Sequence, residues 1–224
     1  MEIDSPVFQP VASVGGTPIR LAFAGQARSG KDSMAMCVNE QVPNVQRMAF
    51  ADSVKDSVTH LFGISREDIE YWKPQDGCPP GCSTPMRQIL QFIGDGARQH
   101  VRDNVWVNKI DAMITEQPIS TSIVITDVRY ENELQMLRSH GFTVVLVGRQ
   151  STFLTTIVHS SETYFHDLTQ WTLRNTTAPV VNMSDCCDCP SPGNAVDYFV
   201  RNDGSLATLA QTTYQLLSTM HRRG

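Results

Sequence analysis

The stretch GQARSGKDSM, Gly25 to Met34, limits what the chain can fold into more than any other part of it. It matches the spacing G-x-x-x-x-G-K. The apolar run IRLAFAG leads into it and the helix-forming run GKDSMAMCVNEQV leads out. The spacing predicts a phosphate-binding loop between a strand and a helix. Successive backbone N–H groups, here those of Gly25, Gln26, Ala27, Arg28, Ser29 and Gly30, must wrap an anion before the helix begins. The helix N-terminus then adds the positive end of its dipole. Gly25 and Gly30 permit the tight turns, and Lys31 reaches the outer phosphates. The alternative is a glycine-bearing turn with a chance lysine, against which the flanking strand and helix argue.

The residue after the lysine departs from the general motif. A serine or threonine normally holds Mg²⁺ there, and this chain has Asp32. Two metal assignments are open: Ser33 supplies the hydroxyl one residue late, or Asp32 holds the ion through its carboxylate, directly or through water. A third reading needs no metal, because a negative charge is favoured in the first turn of a helix.

Beyond the loop, strand and helix patterns alternate. VQRMAF reads as a strand and ADSVKDSVTHLFG as a helix, and KPQDGCPPGCSTP is a loop. Ser83 or Thr84 is expected to cap the next helix, with Pro85 at its first position. Asp103 is expected to cap another through VWVNKIDAMI. SIVITDV and FTVVLVG read as buried strands on either side of the helix NELQMLRSHG. AVDYFV, NDGS and LATLAQTTYQLLSTM then give a last strand, a turn and a terminal helix. This alternation predicts an α/β fold, a largely parallel sheet with helices on both faces. Residues 1 to 18, rich in Pro, Gly and Ser, read as a flexible leader to a single domain over 19–224. From about 150 to 195 the pattern weakens.

The net charge of −5 argues against a nucleic-acid partner, which usually meets a basic face. No apolar run approaches the roughly 20 residues of a membrane span. The N-terminal stretch lacks the basic and apolar regions of an export signal. A soluble, cytoplasmic protein without a membrane partner is expected.

RSGKDS, MAFADSVKD, MRQILQFIGDGARQHVRDNVWV, ITDVRYENE, HSSE and NDGSL occur in the order seen in phage-type deoxynucleoside monophosphate kinases, which this sequence resembles from residue 21 to about 215. An aspartate after the loop lysine is part of that family's pattern. The resemblance implies a P-loop kinase fold, with a helical acceptor-binding segment over about 50–106 and a lid over about 150–195. It also implies ATP and Mg²⁺ as cofactors, transfer of the γ-phosphate to a deoxynucleoside monophosphate, a possible homodimer, and the host cytoplasm for a phage-encoded chain.

The residues fit that chemistry. A phosphate acceptor, with a second pKa of about 6, needs no general base. It needs cations that bring two anions together. Arg28 lies in the loop, and Arg129 follows Asp127 at the end of SIVITD. Arg87 and Arg98 lie eleven residues apart on one helical segment, about three turns. The resemblance makes Arg87 and Arg98 acceptor contacts, and Arg28 and Arg129 ligands of transferring or acceptor phosphates. Each arginine also has a reading as a surface ion pair. Asp127 sits where open α/β sheets bind ligands, to orient Mg²⁺-bound water or hold Arg129; capping the next helix is its alternative. Trp106 either stacks on the acceptor base or packs in the core. Asp52 and Lys55 begin the acceptor segment, with a solvated helix face as the alternative. His159 and Glu162 match a motif for lid or nucleotide positioning.

Between HSSE and AVDYFV, residues 163 to 194 form a longer stretch than the resemblance implies. Stretches of this kind are usually functional or mobile, and Arg149 and Arg174 are candidate lid arginines. Cys78 and Cys82, with Cys186 and Cys189, have spacings that suit zinc, and loosely packed thiols are the alternative. Cys186 and Cys187 are too close to act as independent ligands. Two other functions stay open: a P-loop kinase acting on a hydroxyl of a small metabolite or of a modified base in DNA, with Asp52, Asp56 or Asp127 as base, and a non-catalytic nucleotide-binding protein.

Overall fold

The run RLAFA forms β1 (Arg20–Ala24), buried from Leu21 onward. A strand apolar on both sides belongs inside a sheet covered on both faces. The computed structural model describes residues 18–152, 163–186, 188–190 and 195–221, and places β1 in the interior of such a sheet. After β1 come α1 (Lys31–Gln41), β2 (Val45–Met48), α2 (Phe50–Phe62), α3 (Arg66–Gln75), α4 (Met86–His100) and α5 (Val105–Thr115). Then follow β3 (Ser122–Val128), α6 (Glu131–Ser139), β4 (Thr143–Gly148), α7 (His166–Asn175), β5 (Val180–Asn182), β6 (Tyr198–Arg201) and α8 (Leu206–His221).

The sheet has six strands in the order β2-β3-β1-β4-β6-β5. β1 runs parallel to β3 and β4, and β4 runs parallel to β6; β5 is antiparallel to β6. The expected α/β class, a mostly parallel sheet flanked by helices, is what forms. The chain leaves β1 toward β2 and β3 on one side and later reaches β4 on the other. The strand order therefore reverses at β1, and ligands of open α/β sheets bind beyond the strand carboxyl ends at such a point. Ala24 lies beside Val128 of β3 and Leu146 of β4.

Side-chain alternation along the strands divides the core. Leu21, Phe23, Val124, Val145, Val147 and Val200 pack with Met34 and Val38 of α1 and with Leu209 and Leu216 of α8. The other face turns Phe199 toward the backbone at Gly148, where Thr169 of α7 also packs.

The chain forms two compact units. One takes the described residues of Met1–Arg47 and Pro118–Gly224, and the other is Met48–Gln117. The second unit is helical, carrying α2 to α5, and Val58, Ile64, Ile69 and Met86 of α2 to α4 and their connections form an apolar cluster within it.

Several local expectations change. The loop expected from Lys73 starts later, because α3 runs to Gln75 and carries Pro74 inside it; Ser65 caps its start, accepting from Asp68 N at 3.0 Å. Neither Ser83 nor Thr84 caps α4. Pro85 takes the cap position itself with ψ 141°, extended backbone that keeps it outside the helix. Asn104, not Asp103, precedes α5, and no side chain caps it. Regular structure also forms within 150–195, as α7 and β5. The buried face of α7 is Leu168, Thr169, Thr172 and Leu173, and two threonines among four inward positions blunt the apolar periodicity. Residues 1–17 of the expected leader lie outside the described residues.

Candidate phosphate-binding site

The loop between β1 and α1 owes its shape to backbone that only glycine adopts easily. Gly25 has φ 131°, and a Cβ there would lie 2.3 Å from Val147 O. Gly30 has φ 100°, and a Cβ there would lie 2.1 Å from Asn202 Nδ2. Between them Arg28 takes a left-handed φ of 63°, uncommon for a residue with a side chain; its side chain is exposed, as is that of Ala27. α1 starts after Gly30 without a side-chain cap. Its first-turn N–H groups and the positive end of its dipole thus meet the loop, an arrangement that suits an anion.

Lys31 is 7% exposed, and its ammonium donates to Gly25 O at 2.8 Å and Gln26 O at 2.6 Å. The cation is thereby folded across the mouth of its own loop. Ser29 is buried, and its Oγ has no hydrogen-bond partner among the described residues. Asp32 is on the first turn of α1 with 79% of its side chain exposed, 3.7 Å from Arg47 Nη2, and Ser33 beside it is half-buried.

Asp127 is the penultimate residue of β3, half-buried at the carboxyl edge of the sheet. The register that sets Val128 beside Ala24 brings it to the level of the loop. At the start of α6 Glu133, 1% exposed, accepts through Oε2 from the backbone N–H of Arg129 at 2.8 Å and of Tyr130 at 3.1 Å. The Arg129 backbone is thus fixed two residues after Asp127.

Two further residues, outside the set predicted for the site, grip the loop. Asn202, 6% exposed, donates from Nδ2 to Ser29 O at 2.8 Å, and its own N–H is held by Gly148 O at 2.8 Å. His166, the first residue of α7, meets Gln26 across 3.0 Å between Nδ1 and Nε2. The NDGSL motif was a signal for the first. Nothing in the sequence marks the second, because 140 residues separate its partners. Arg149 is half-buried and Arg174 is exposed at the end of α7. His159 and Glu162 lie outside the described residues.

The remaining predicted residues belong to the helical unit. Asp52 and Lys55 stand one turn apart on α2, 3.4 Å from each other, and Lys55 Nζ also donates to Glu70 Oε1 at 2.6 Å. Arg66 Nη2 approaches Asp52 at 3.6 Å and Asp56 at 3.1 Å. Burial pushes the Glu70 carboxyl up, but the Lys55 hydrogen bond and charge, with Lys73 and Arg66, outweigh it and hold the group below its usual range. Arg87 and Arg98 lie on the single helix α4. Arg87 Nε is 3.7 Å from Asp76, and Arg98 Nη1 donates to Asp103 O at 3.2 Å. Trp106 is 7% exposed, with its indole N–H donating to Gly94 O at 2.9 Å. That geometry ties α5 to α4 and leaves little of the ring to stack on a base.

Cys78 and Cys82 share a loop of the helical unit, and Cys186 and Cys189 share a loop of the other; all four are free thiols. Among the described residues no group of three or more His, Cys, Asp or Glu side chains is arranged to hold a metal, so the zinc expectation finds no assembled ligand set there. Cys187 lies outside the described residues. Burial, then the neighbouring Cys186, pushes the Cys189 thiol up. No helix among the described residues is long and apolar enough to cross a membrane.

No protein-family model matches the chain. It is 25% identical over 146 residues to a "Putative deoxynucleotide monophosphate kinase" of Acanthamoeba polyphaga mimivirus, across 58% of this chain and 74% of that protein. Among solved structures it is similar to dephospho-CoA kinase from Campylobacter jejuni, with a TM-score of 0.47 and 10% identity over 90% of this chain and 96% of that one. It is also similar to TT1252 from Thermus thermophilus, with a TM-score of 0.44 and 13% identity over 90% and 97%.

Proposed function

We propose that this chain is a kinase that transfers the γ-phosphate of ATP to a deoxynucleoside 5'-monophosphate, giving the diphosphate. The observation that carries the reading is the loop itself. A lysine ammonium is held within a glycine-hinged turn, above an uncapped helix N-terminus, at the carboxyl edge of a sheet where strand order reverses. The name of the mimivirus relative supports the acceptor class.

ATP supplies the activated phosphoryl group, and the chain's residues hold it. The loop backbone and α1 cradle the anion, and the buried Ser29 hydroxyl offers it a donor. The Lys31 ammonium exchanges its two carbonyl partners for phosphate oxygens. Asp32 and Ser33 are the oxygen donors that suit Mg²⁺, a hard cation bound through one or two carboxylates and water. Asp127, at the strand edge, would orient Mg²⁺-bound water or hold Arg129, and Arg28 and Arg129 would offset the charge of the transferring group. In the helical unit Arg87 and Arg98 are the acceptor contacts, on a segment beginning near Asp52 and Lys55. Asp52 already faces Lys55 and Arg66, which suits a scaffold for phosphate binding more than a free general base.

The test measures ADP release with Mg-ATP across a panel of nucleoside and deoxynucleoside monophosphates. Turnover with at least one deoxynucleoside monophosphate is expected, and Lys31→Ala should reduce it by about a hundredfold or more with an unchanged circular dichroism spectrum. Activity confined to hydroxyl acceptors or to DNA would sink the acceptor assignment, and undiminished turnover in Lys31→Ala would sink the loop assignment.

A further inference from the structure

Gln26 is 6% exposed, and the two ends of its carboxamide are unequally served. Nε2 lies 3.0 Å from His166 Nδ1, whereas Oε1 is buried with no hydrogen-bond partner among the described residues. Ser29 Oγ, three residues on, is buried in the same condition. Buried polar atoms are nearly always paired, so two exceptions in one loop call for a specific cause. A loop whose backbone is shaped for an anion supplies one for Ser29, whose hydroxyl can donate to the ligand; the Gln26 oxygen is an acceptor and needs a donor instead.

His166 is well placed to decide how Gln26 meets that ligand, because its own position does not depend on the loop. It opens α7, whose inward face of Leu168, Thr169 and Thr172 is buried. The far end of the helix is tied down by Arg201, whose Nη2 donates to Leu173 O and, at 2.7 Å, to Thr176 O. Arg201 is held in turn by Asp203 at 2.7 Å. Gln26 connects onward to the reactive part of the loop, since its backbone O accepts from Lys31 Nζ at 2.6 Å and from Ser29 N at 3.3 Å.

An imidazole nitrogen offers two arrangements. When Nδ1 accepts, it takes an N–H of Gln26 and leaves Oε1 unserved. When Nδ1 carries the proton, it donates to Oε1 and releases both amide N–H groups. An anionic ligand is met by donors and repelled by a bare carbonyl oxygen, so only the second arrangement suits it. We propose that His166 is a positioning residue for the polyphosphate of the bound nucleotide: it turns and holds the Gln26 carboxamide so that its N–H end serves the anion. This rests on the nucleotide reading of the loop, and it gives the stretch beyond residue 163 a role in binding the phosphate donor.

The experiment measures equilibrium binding of a fluorescent ATP analogue to the full chain, together with KM for ATP and for the acceptor. His166→Phe, which keeps bulk and removes the nitrogen, should weaken analogue binding and raise the ATP KM by about tenfold, with the acceptor KM unchanged. Gln26→Ala should match it, and the double variant should be no worse than either. His166→Asn, whose amide stands close to where Nδ1 lies, should recover most of the loss, an outcome that a purely structural role for the ring would not give. Wild-type binding that is unaffected by His166→Phe, or losses that add in the double variant, would overturn this inference alone. Failure of the wild type to bind the analogue at all would overturn the nucleotide reading and this inference with it.

Discussion

At the scale of single residues, the loop is held from outside as much as from within. Gly30 and Asn202 occupy one space: the asparagine amide reaches Ser29 O through the position that a side chain at residue 30 would fill. Gly30→Ala therefore meets both a φ of 100° and a side chain 2.1 Å away. It is expected to destabilise the protein by about 1–3 kcal/mol in chemical denaturation. Asn202→Ala should cost about 1–2 kcal/mol by leaving Ser29 O short of a donor. Combined with Gly30→Ala it removes the steric conflict, so the two losses should sum to more than the double variant shows, by about 0.5 kcal/mol or more. Strict additivity would mean that the two residues do not compete for that space. The glycines were legible from motif spacing alone. Asn202 was legible only as part of a turn, because the atom it serves lies 173 residues away.

At the scale of elements, α2 and α3 are joined by charge. Lys55, whose side chain is 11% exposed, draws in Glu70 from α3. Because the Glu70 carboxyl is held below its usual value near 4.5, the folded state favours the ionised form. The stabilisation is present above that value and is lost as pH falls through the lower folded one. Urea midpoints should accordingly drop as pH is lowered below about 4.5. Glu70→Gln should lower the midpoint near neutral pH and flatten that part of the acid limb. An identical acid limb in wild type and variant would show that other carboxylates carry it. α3 itself went unread in the sequence because Pro74 and the loop signals after it masked a start that Ser65 caps cleanly. α7 went unread because threonines fill half of its inward face.

At the scale of the whole molecule, the second unit has its own apolar centre in Val58, Ile64, Ile69 and Met86. Met86 is fully buried, and Met86→Ala should cost about 2–5 kcal/mol. Two of the three tryptophans, Trp72 and Trp106, lie in this unit. The variant's fluorescence transition is expected at lower urea than its far-UV circular dichroism transition, which also reports the sheet. Coincident transitions would mean that the units unfold as one.

The sequence by itself determined the phosphate loop, the strands that flank it and the α/β class, because each rests on short-range physics. Backbone N–H groups must follow one another to wrap an anion, and a strand buried on both faces must be apolar throughout. It also placed Lys31, Asp32 and Ser33 on one turn and Arg87 and Arg98 on one helix, since helical spacing is a local property. Only the tertiary structure decided that Asn202 and His166 hold the loop and that Trp106 is committed to Gly94. These are hydrogen bonds whose partners the sheet order and helix packing bring within reach, and no spacing along the chain encodes that order.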